Sequence, residues 1–280
     1  MSAPHGRRGC DPAPLFWAAE WVYVQRWHVG VMTMVRIATV FFAAVLAAGA
    51  LVPGSAPQAG TGERVDEGAY DLRVRGLRAA VVSFRGVEDA GSYAVAARIE
   101  SSGLVGLVRN IRYDGNARGR HDGNGGFETL RYVEESDTGR RESLSEMVYE
   151  NGVPRVVRRE PPRERDRYAD PAEQGGTIDP LTAMYSLFRD VEADQACRGD
   201  LDLFDGQRRA QIALSRGARD GDTLRCDGEF RRIEGYSERE IEEGTRFPFQ
   251  LTYEARPDGR MRLEHVRMQT EYGPATMTRR

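Results

Sequence analysis

Few side chains in this sequence are suited to acid–base, metal or nucleophilic chemistry. Of the four histidines, only His121 and His265 lie beyond residue 59. All 40 basic residues are arginine, so no lysine is present to form a Schiff base or to complete a phosphate-binding loop. The sequence has no H-E-x-x-H, G-x-S-x-G or C-x-x-C motif. We therefore expect no catalytic residues, no metal site and no cofactor.

The acidic residues leave two weaker interpretations open. Asp114 to Asp122, followed by Gly123-Asn124-Gly125, faintly resembles a calcium loop, but the ligand spacing and terminal glutamate do not match, and a hairpin turn is favoured. Two carboxylates brought together by folding would suit hydrolysis of an envelope polymer, which is the enzymatic alternative. Two buried acids with raised pKa in one cleft would support it.

Composition and charge are those of an ordinary globular protein. The chain has 280 residues, of which 40% are hydrophobic and 30% charged, and its net charge is -3. Such a balance of acidic and basic residues gives no strong electrostatic field around the protein, so we expect no nucleic-acid partner.

The N-terminal region predicts export. Ile37 to Val52 form an apolar run of the length of a signal-peptide core, with Arg36 before it and small residues around Pro57 after it. We predict an upstream extension or long n-region over 1–31, a cleaved signal peptide over 32–59 and one β-rich periplasmic domain over 60–280. The mature form would not span the membrane, and a retained inner-membrane anchor is the alternative.

Cysteine usage agrees with export. Cleavage near residue 59 would remove Cys10 and leave the pair Cys197 and Cys226. An even count in an exported chain predicts a disulfide, with two buried thiols as the alternative.

Turn residues recur between short alternating segments from Gly68 onward, as in antiparallel hairpins. Tyr70, Leu72 and Val74 alternate with polar residues, and so do Phe247, Phe249, Leu251 and Tyr253. The predicted turns are Asp122-Gly123-Asn124-Gly125, Thr138-Gly139, Asn151-Gly152, Asp205-Gly206, Asp220-Gly221 and Asp258-Gly259.

Strands near 200–204, 208–216 and 223–233 would place the first and third about 9.6 Å apart in a meander. Because a disulfide cannot span that distance, Cys197 is expected before its strand, in the segment that leaves the main helix.

One segment has helical periodicity. Asp179 is a predicted N-cap and Pro180 the first residue of a helix whose apolar stripe is Leu181, Met184, Tyr185, Phe188 and Val191. We expect this stripe to pack on the sheet, although a partner groove is the alternative. A shorter helix is predicted from Ser237 to Glu243, ended by Gly244.

The segment from Arg155 to Arg167 is rich in arginine. Its guanidinium groups would suit phosphate groups of lipopolysaccharide or phospholipids, but the interleaved acids favour a solvated, proline-stiffened linker.

The chain from about Ala69 to its end resembles the bacterial domain-of-unknown-function 3108 family of exported proteins. The resemblance rests on Tyr70-Asp71-Leu72, on Ser102-Gly103-Leu104 to Tyr113-Asp114-Gly115, on Asp179-Pro180-Leu181-Thr182, on Phe204-Asp205-Gly206 and on Phe247-Pro248-Phe249. Ala80 departs from the family pattern, which has a second glycine in the opening hairpin.

This resemblance implies a mainly β envelope protein: a curved antiparallel sheet or half-barrel, similar in outline to the lipoprotein carriers LolA and LolB, with one main packed helix on its concave face. It implies no catalytic residues. We expect a non-enzymatic protein that binds an apolar, lipid-like ligand in the half-barrel, or an envelope protein partner. The envelope hydrolase and a membrane-anchored structural domain are the alternatives.

Overall fold

A computed structural model describes residues 62–280 except 104, 105, 107–109, 124, 163–167, 216 and 271. The predicted extension over 1–31 and the signal peptide over 32–59 lie outside the described residues. The strands are β1 Arg64–Val74, β2 Leu77–Glu88, β3 Ser92–Ser101, β4 Arg112–His121, β5 Phe127–Asp137, β6 Glu142–Glu150, β7 Val153–Glu160, β8 Asp200–Phe204, β9 Arg209–Leu214, β10 Ala218–Asp220, β11 Thr223–Glu234, β12 Arg246–Ala255, β13 Met261–Thr270 and β14 Gly273–Arg279. The helices are a 3-10 turn at Pro171–Glu173, α1 at Pro180–Phe188 and α2 at Glu238–Glu243.

All the strands belong to one antiparallel sheet that curves into a nearly closed barrel. Its order is β7-β6-β5-β4-β3-β2-β1-β14-β13-β12-β11-β9-β8, with β10 paired to β11. The first and last strands of the sequence meet in the middle of the sheet, where Tyr70 lies opposite Arg279. The antiparallel hairpins predicted from the turns and alternation are confirmed, and so is the mainly β, curved sheet that the family resemblance implied.

The segment before α1 bridges the gap between the two edge strands, β7 and β8. The Gly176 amide donates to the Gly152 carbonyl in the β6–β7 turn (3.0 Å). Two residues later, the Ile178 amide donates to the Asp202 carbonyl (2.9 Å), and the Phe204 amide donates to the Ile178 carbonyl (3.0 Å). These bonds satisfy backbone groups that an open edge would leave unpaired.

α1 lies on the concave face, as predicted, and contacts β3, β4, β5, β8 and β13. Leu181, Tyr185 and Phe188 of its apolar stripe are buried. Val191, the last predicted position of the stripe, is not part of the helix. The helix ends at Phe188, and Val191 lies beyond it in a β-bridge with Met261. The sequence pattern missed this end because no glycine marks it.

Ion pairs hold the chain extended just after α1. Asp190 accepts hydrogen bonds from the guanidinium groups of Arg256 and Arg262, the latter at 2.9 Å from Nη2. The Val191 amide then donates to the Met261 carbonyl (3.0 Å). These contacts with the β12–β13 hairpin compete with another helical turn and explain why the stripe stops early.

The hairpin turns join consecutive strands as predicted, but the linker predicted over the arginine-rich segment is wrong in part. Residues 155–160 belong to β7, which pairs with β6. Arg155 and Arg158 form ion pairs with Glu150 (2.8 Å) and Glu160 (2.9 Å). Charged side chains are typical of an edge strand, because they discourage pairing with another chain. Residues 163–167 are outside the described residues.

The short helix is confirmed. Ser237 is the N-cap of α2, its hydroxyl accepts from the Glu240 amide, and Glu240 in return accepts from the Ser237 amide (2.8 Å). This reciprocal capping box satisfies two backbone donors at the helix start. Gly244 ends the helix with φ 135°. No helix among the described residues is long and apolar enough to cross a membrane.

Gly86 in β2 allows a close approach of Tyr185 of α1 to the sheet. A Cβ at this position would overlap the Tyr185 ring. We expect Gly86→Ala to lower the free energy of unfolding by about 2 kcal/mol, because the buried ring has to move. Gly91→Ala is the matched control, since its Cβ would meet only Asp89 Oδ1 at 4.0 Å. Equal urea midpoints for the two variants would contradict this packing of Tyr185.

Candidate functional site

An apolar cavity of about 160 Å³ lies between α1 and the concave face of the sheet. Alternating inward residues of the strands supply one wall, and the helix supplies the other. The apolar lining is Val82, Ile99, Met184, Leu187, Phe188, Leu203, Ala210, Ile212, Phe230, Phe249, Leu251, Val266, Met268 and Met277. This volume resembles the roughly 150 Å³ of an apolar cavity that stays dry and accepts benzene. It is smaller than most drug-sized sites.

Charged residues gather where β8, β11 and α2 meet at one end of the cavity. Arg208 Nη2 donates to Glu240 Oε1 at 2.8 Å. The Arg208 and Arg232 guanidinium carbons lie 5.5 and 5.3 Å from the centroid of the Tyr236 ring. Arg232, Tyr236 and Glu240 are half-buried, while Arg208 is only 9% exposed. We call Arg208, Arg232, Tyr236 and Glu240 the polar mouth.

Local turn structure fixes the parts of the polar mouth. The Asp205 carboxylate caps the β8–β9 turn by accepting from the Gln207 amide (2.8 Å) and the Arg208 amide (2.7 Å). The capping box of α2 fixes Glu240. Burial alone would raise the pKa of Glu240, but hydrogen bonds from Ser237 and the charge of Arg208 hold it below the usual range. Glu240 is therefore ionised at neutral pH and pairs with Arg208.

A second, polar pocket of about 90 Å³ lies next to the polar mouth and shares Asp205 with the lining of the apolar cavity. Glu134 lies in its wall and accepts a hydrogen bond from the Tyr132 hydroxyl (2.9 Å). Burial raises the pKa of Glu134 to about 7, and the negative charge of Asp205 acts in the same direction, against Arg159 and Arg208. Glu134 therefore takes up a proton more readily than an ordinary glutamate.

A larger cleft of about 360 Å³ lies beside the start of β8. Asp122, Arg189 and Asp202 contribute polar groups to its wall, and Cys197 lies in it as well. Its lining is mixed, so it resembles a hydrated surface cleft more than a site for an apolar molecule.

Cys197 and Cys226 form a disulfide, with Cα atoms 5.3 Å apart. Cys197 lies between α1 and β8, as the spacing of the strands predicted, and Cys226 lies fully buried in β11. The bond therefore ties the segment that follows α1 to the sheet. A disulfide is typical of proteins in oxidising compartments.

The two histidines do not meet. His121 Nε2 lies 3.8 Å from Glu88 Oε2, and the His121 ring lies 5.3 Å from the Phe127 ring. His265 Nδ1 lies 3.0 Å from Thr278 Oγ1 on the neighbouring strand. Among the described residues, no group of three or more His, Cys, Asp and Glu side chains is placed to hold a metal ion.

Two of the buried acids with raised pKa, Asp114 and Glu134, lie on opposite faces of the sheet. Burial raises the pKa of Asp114 to about 7, against the positive charges of Arg112 and Arg98. Asp114 lies opposite Glu135 in the β4–β5 register, so Glu134, one residue away, points to the other face. Asp179 is the helix cap. Asp114 and Glu134 thus do not share a cleft, and no specific observation favours the hydrolase.

Sequence reasoning missed the residues of the polar mouth. They come from the β8–β9 turn, β11, the loop before α2 and α2 itself, and only folding brings them together. The one local signal was the Ser237-x-x-Glu240 pattern of a capping box, which predicts a helix start and not a site.

Comparisons with known proteins add little about function. No protein-family model and no curated protein matches the chain, so its place in the domain-of-unknown-function 3108 family stays a prediction. One similar solved structure is the beta-barrel-like protein of domain of unknown function DUF1849 from Brucella abortus, at 12% sequence identity and a TM-score of 0.42. The match covers 77% of this chain and 95% of that chain. So distant a likeness indicates no ligand, and the barrel-like fold is established by the strand pairing itself.

Proposed function

We propose that this chain is an exported, non-enzymatic envelope protein of the domain-of-unknown-function 3108 type that binds an apolar, lipid-like ligand between α1 and the sheet. The cavity is the observation that carries the proposal. Its walls are apolar on both sides, and its charged residues are confined to one end. That arrangement suits a molecule with a hydrocarbon body, because burial of apolar surface supplies most of the binding free energy.

Export to the periplasm is part of the same proposal. It is supported by the apolar run at Ile37 to Val52 and by the disulfide between Cys197 and Cys226. Lipids and lipoproteins cross that compartment, so a binding protein there has ligands of the required chemistry. An envelope protein partner remains the alternative occupant.

The cavity is tested by filling it. Toluene is close to benzene in size, and we expect isothermal titration calorimetry to show that it binds the wild-type protein. Met184 is half-buried and projects from α1 into the cavity. Met184→Trp should weaken toluene binding about tenfold, which corresponds to about 1.4 kcal/mol.

Leu77→Trp is the matched control, since Leu77 is 61% exposed and does not line the cavity. It should leave toluene binding unchanged, and both variants should keep the wild-type circular dichroism spectrum. Absence of toluene binding to the folded wild type, or equal binding by the two variants, would refute the cavity and favour the envelope partner.

A further inference from the structure

We infer that the ligand is an acyl chain with one anionic head group, a carboxylate or a phosphate, which Arg208 and Arg232 bind in exchange for Glu240. This inference rests on the proposed function and specifies the chemistry of its ligand. The acyl chain would fill the apolar cavity, and its head group would lie at the polar mouth.

The two guanidinium groups are already positioned around one point. Both lie over the Tyr236 ring, and Arg232 also lies 4.9 Å from the centroid of the Phe247 ring. Aromatic contacts hold a planar guanidinium in a fixed orientation, so less conformational entropy is lost when an anion binds. Arg208 is nearly buried, and a buried cation requires an anionic partner.

Glu240 is that partner in the ligand-free protein. It lies on the six-residue helix α2, in the connection between β11 and β12, and it is half-buried. When its side chain turns towards solvent, it gives up the bond from Arg208 and also its half of the capping box with Ser237, while the backbone of α2 stays in place. Arg232 Nη1 anchors that backbone by donating to the carbonyl oxygens of Glu240 and of Gly244, the latter at 3.0 Å. A ligand carboxylate offers Arg208 the same bond, so the exchange leaves no buried charge unpaired.

The acidic residues next to the polar mouth repel a bound ligand anion only weakly. Asp205 already accepts two hydrogen bonds from the amides of its own turn, which offset part of its charge. Burial raises the pKa of Glu134, so this acid repels a bound anion less than an ordinary carboxylate, and Arg159 and Arg208 place positive charge near it. The charges around the polar mouth therefore favour an anionic head group at that end of the apolar cavity.

Isothermal titration calorimetry with three ligands of a chain length that fits the cavity tests this inference. We expect hexanoate or hexyl phosphate to bind about tenfold more tightly than hexanol. The anion that binds more tightly identifies the head group as carboxylate or phosphate. Glu240→Gln removes the competing charge and should tighten binding of that anion about threefold without changing hexanol. Arg232→Gln should bring the anion to the affinity of hexanol.

Glu238→Gln, an exposed residue of the same helix, is the matched control for general charge and should change neither ligand. Equal affinity of both anions and hexanol would overturn the head-group inference and leave the apolar cavity intact. Weaker anion binding by a folded Glu240→Gln variant would overturn the exchange. Failure of toluene to bind the wild type would refute the proposed function itself.

Discussion

Asp179→Ala is expected to lower the free energy of unfolding by about 4 kcal/mol, the largest effect of any single substitution considered. Asp179 is fully buried and begins α1. Its carboxylate accepts from the Thr182 amide (3.0 Å) and from the hydroxyls of Thr129 (2.6 Å) and Thr182 (2.5 Å). Alanine would remove the helix cap and leave buried donors without an acceptor. Urea unfolding followed by circular dichroism measures the loss.

Asp170→Ala is the control, because Asp170 caps the exposed 3-10 turn with one bond to the Ala172 amide (3.0 Å). It should cost less than about 1 kcal/mol. A loss of that small size for Asp179→Ala would contradict the role of the buried cap.

The pH dependence of stability provides an independent check on the same residue. Burial raises the pKa of Asp179 to about 6, although hydrogen bonds from Thr129 and Thr182 oppose the rise. The unfolded pKa is about 3.9, so the folded state binds more protons between these values. Through this group the free energy of unfolding therefore falls as pH rises from about 4 to about 6. Asp179→Asn should lack that contribution.

Loss of the disulfide should have the second largest effect. Cys197 and Cys226 are 29 residues apart in the sequence. Loop-closure entropy for a loop of that length predicts a loss of about 3.5 kcal/mol when the bond is removed. The double substitution of both cysteines by serine should lower the urea midpoint accordingly. Serine at the fully buried position 226 adds the cost of an unpaired hydroxyl.

Reduction of the wild-type protein is the control that separates the bond from the substitution. Dithiothreitol should lower the wild-type urea midpoint and leave the double-serine variant unchanged. An unchanged wild-type midpoint in reductant would show that the bond is not formed or does not constrain the unfolded chain.

Local signals predicted the local structure well. Asp179 and Pro180 marked the start of α1, and Ser237 and Gly244 marked the limits of α2, because capping depends on residues next to each other in the sequence. β7 was mistaken for a linker, since the charges that protect an edge strand resemble those of a solvated loop.

Long-range structure was beyond the sequence pattern. Nothing in the alternation of Tyr70 and Leu72 indicates that their strand pairs with the last strand of the chain, at Arg279. The polar mouth depends on the same kind of pairing, because β11 must lie beside both β9 and β12 before Arg208 and Arg232 can meet. The cavity could be expected only in general terms, from a curved sheet with a helix on its concave face.

Methionine-methyl NMR with hexanoate tests the central claim most directly. Met184, Met268 and Met277 line the cavity, whereas Met147 and Met261 are fully buried and do not line it. We predict that titration shifts the first three methyl signals and leaves Met147 and Met261 unchanged. If the three cavity signals stay unchanged at saturating hexanoate, or all five move together, the ligand does not occupy the space between α1 and the sheet.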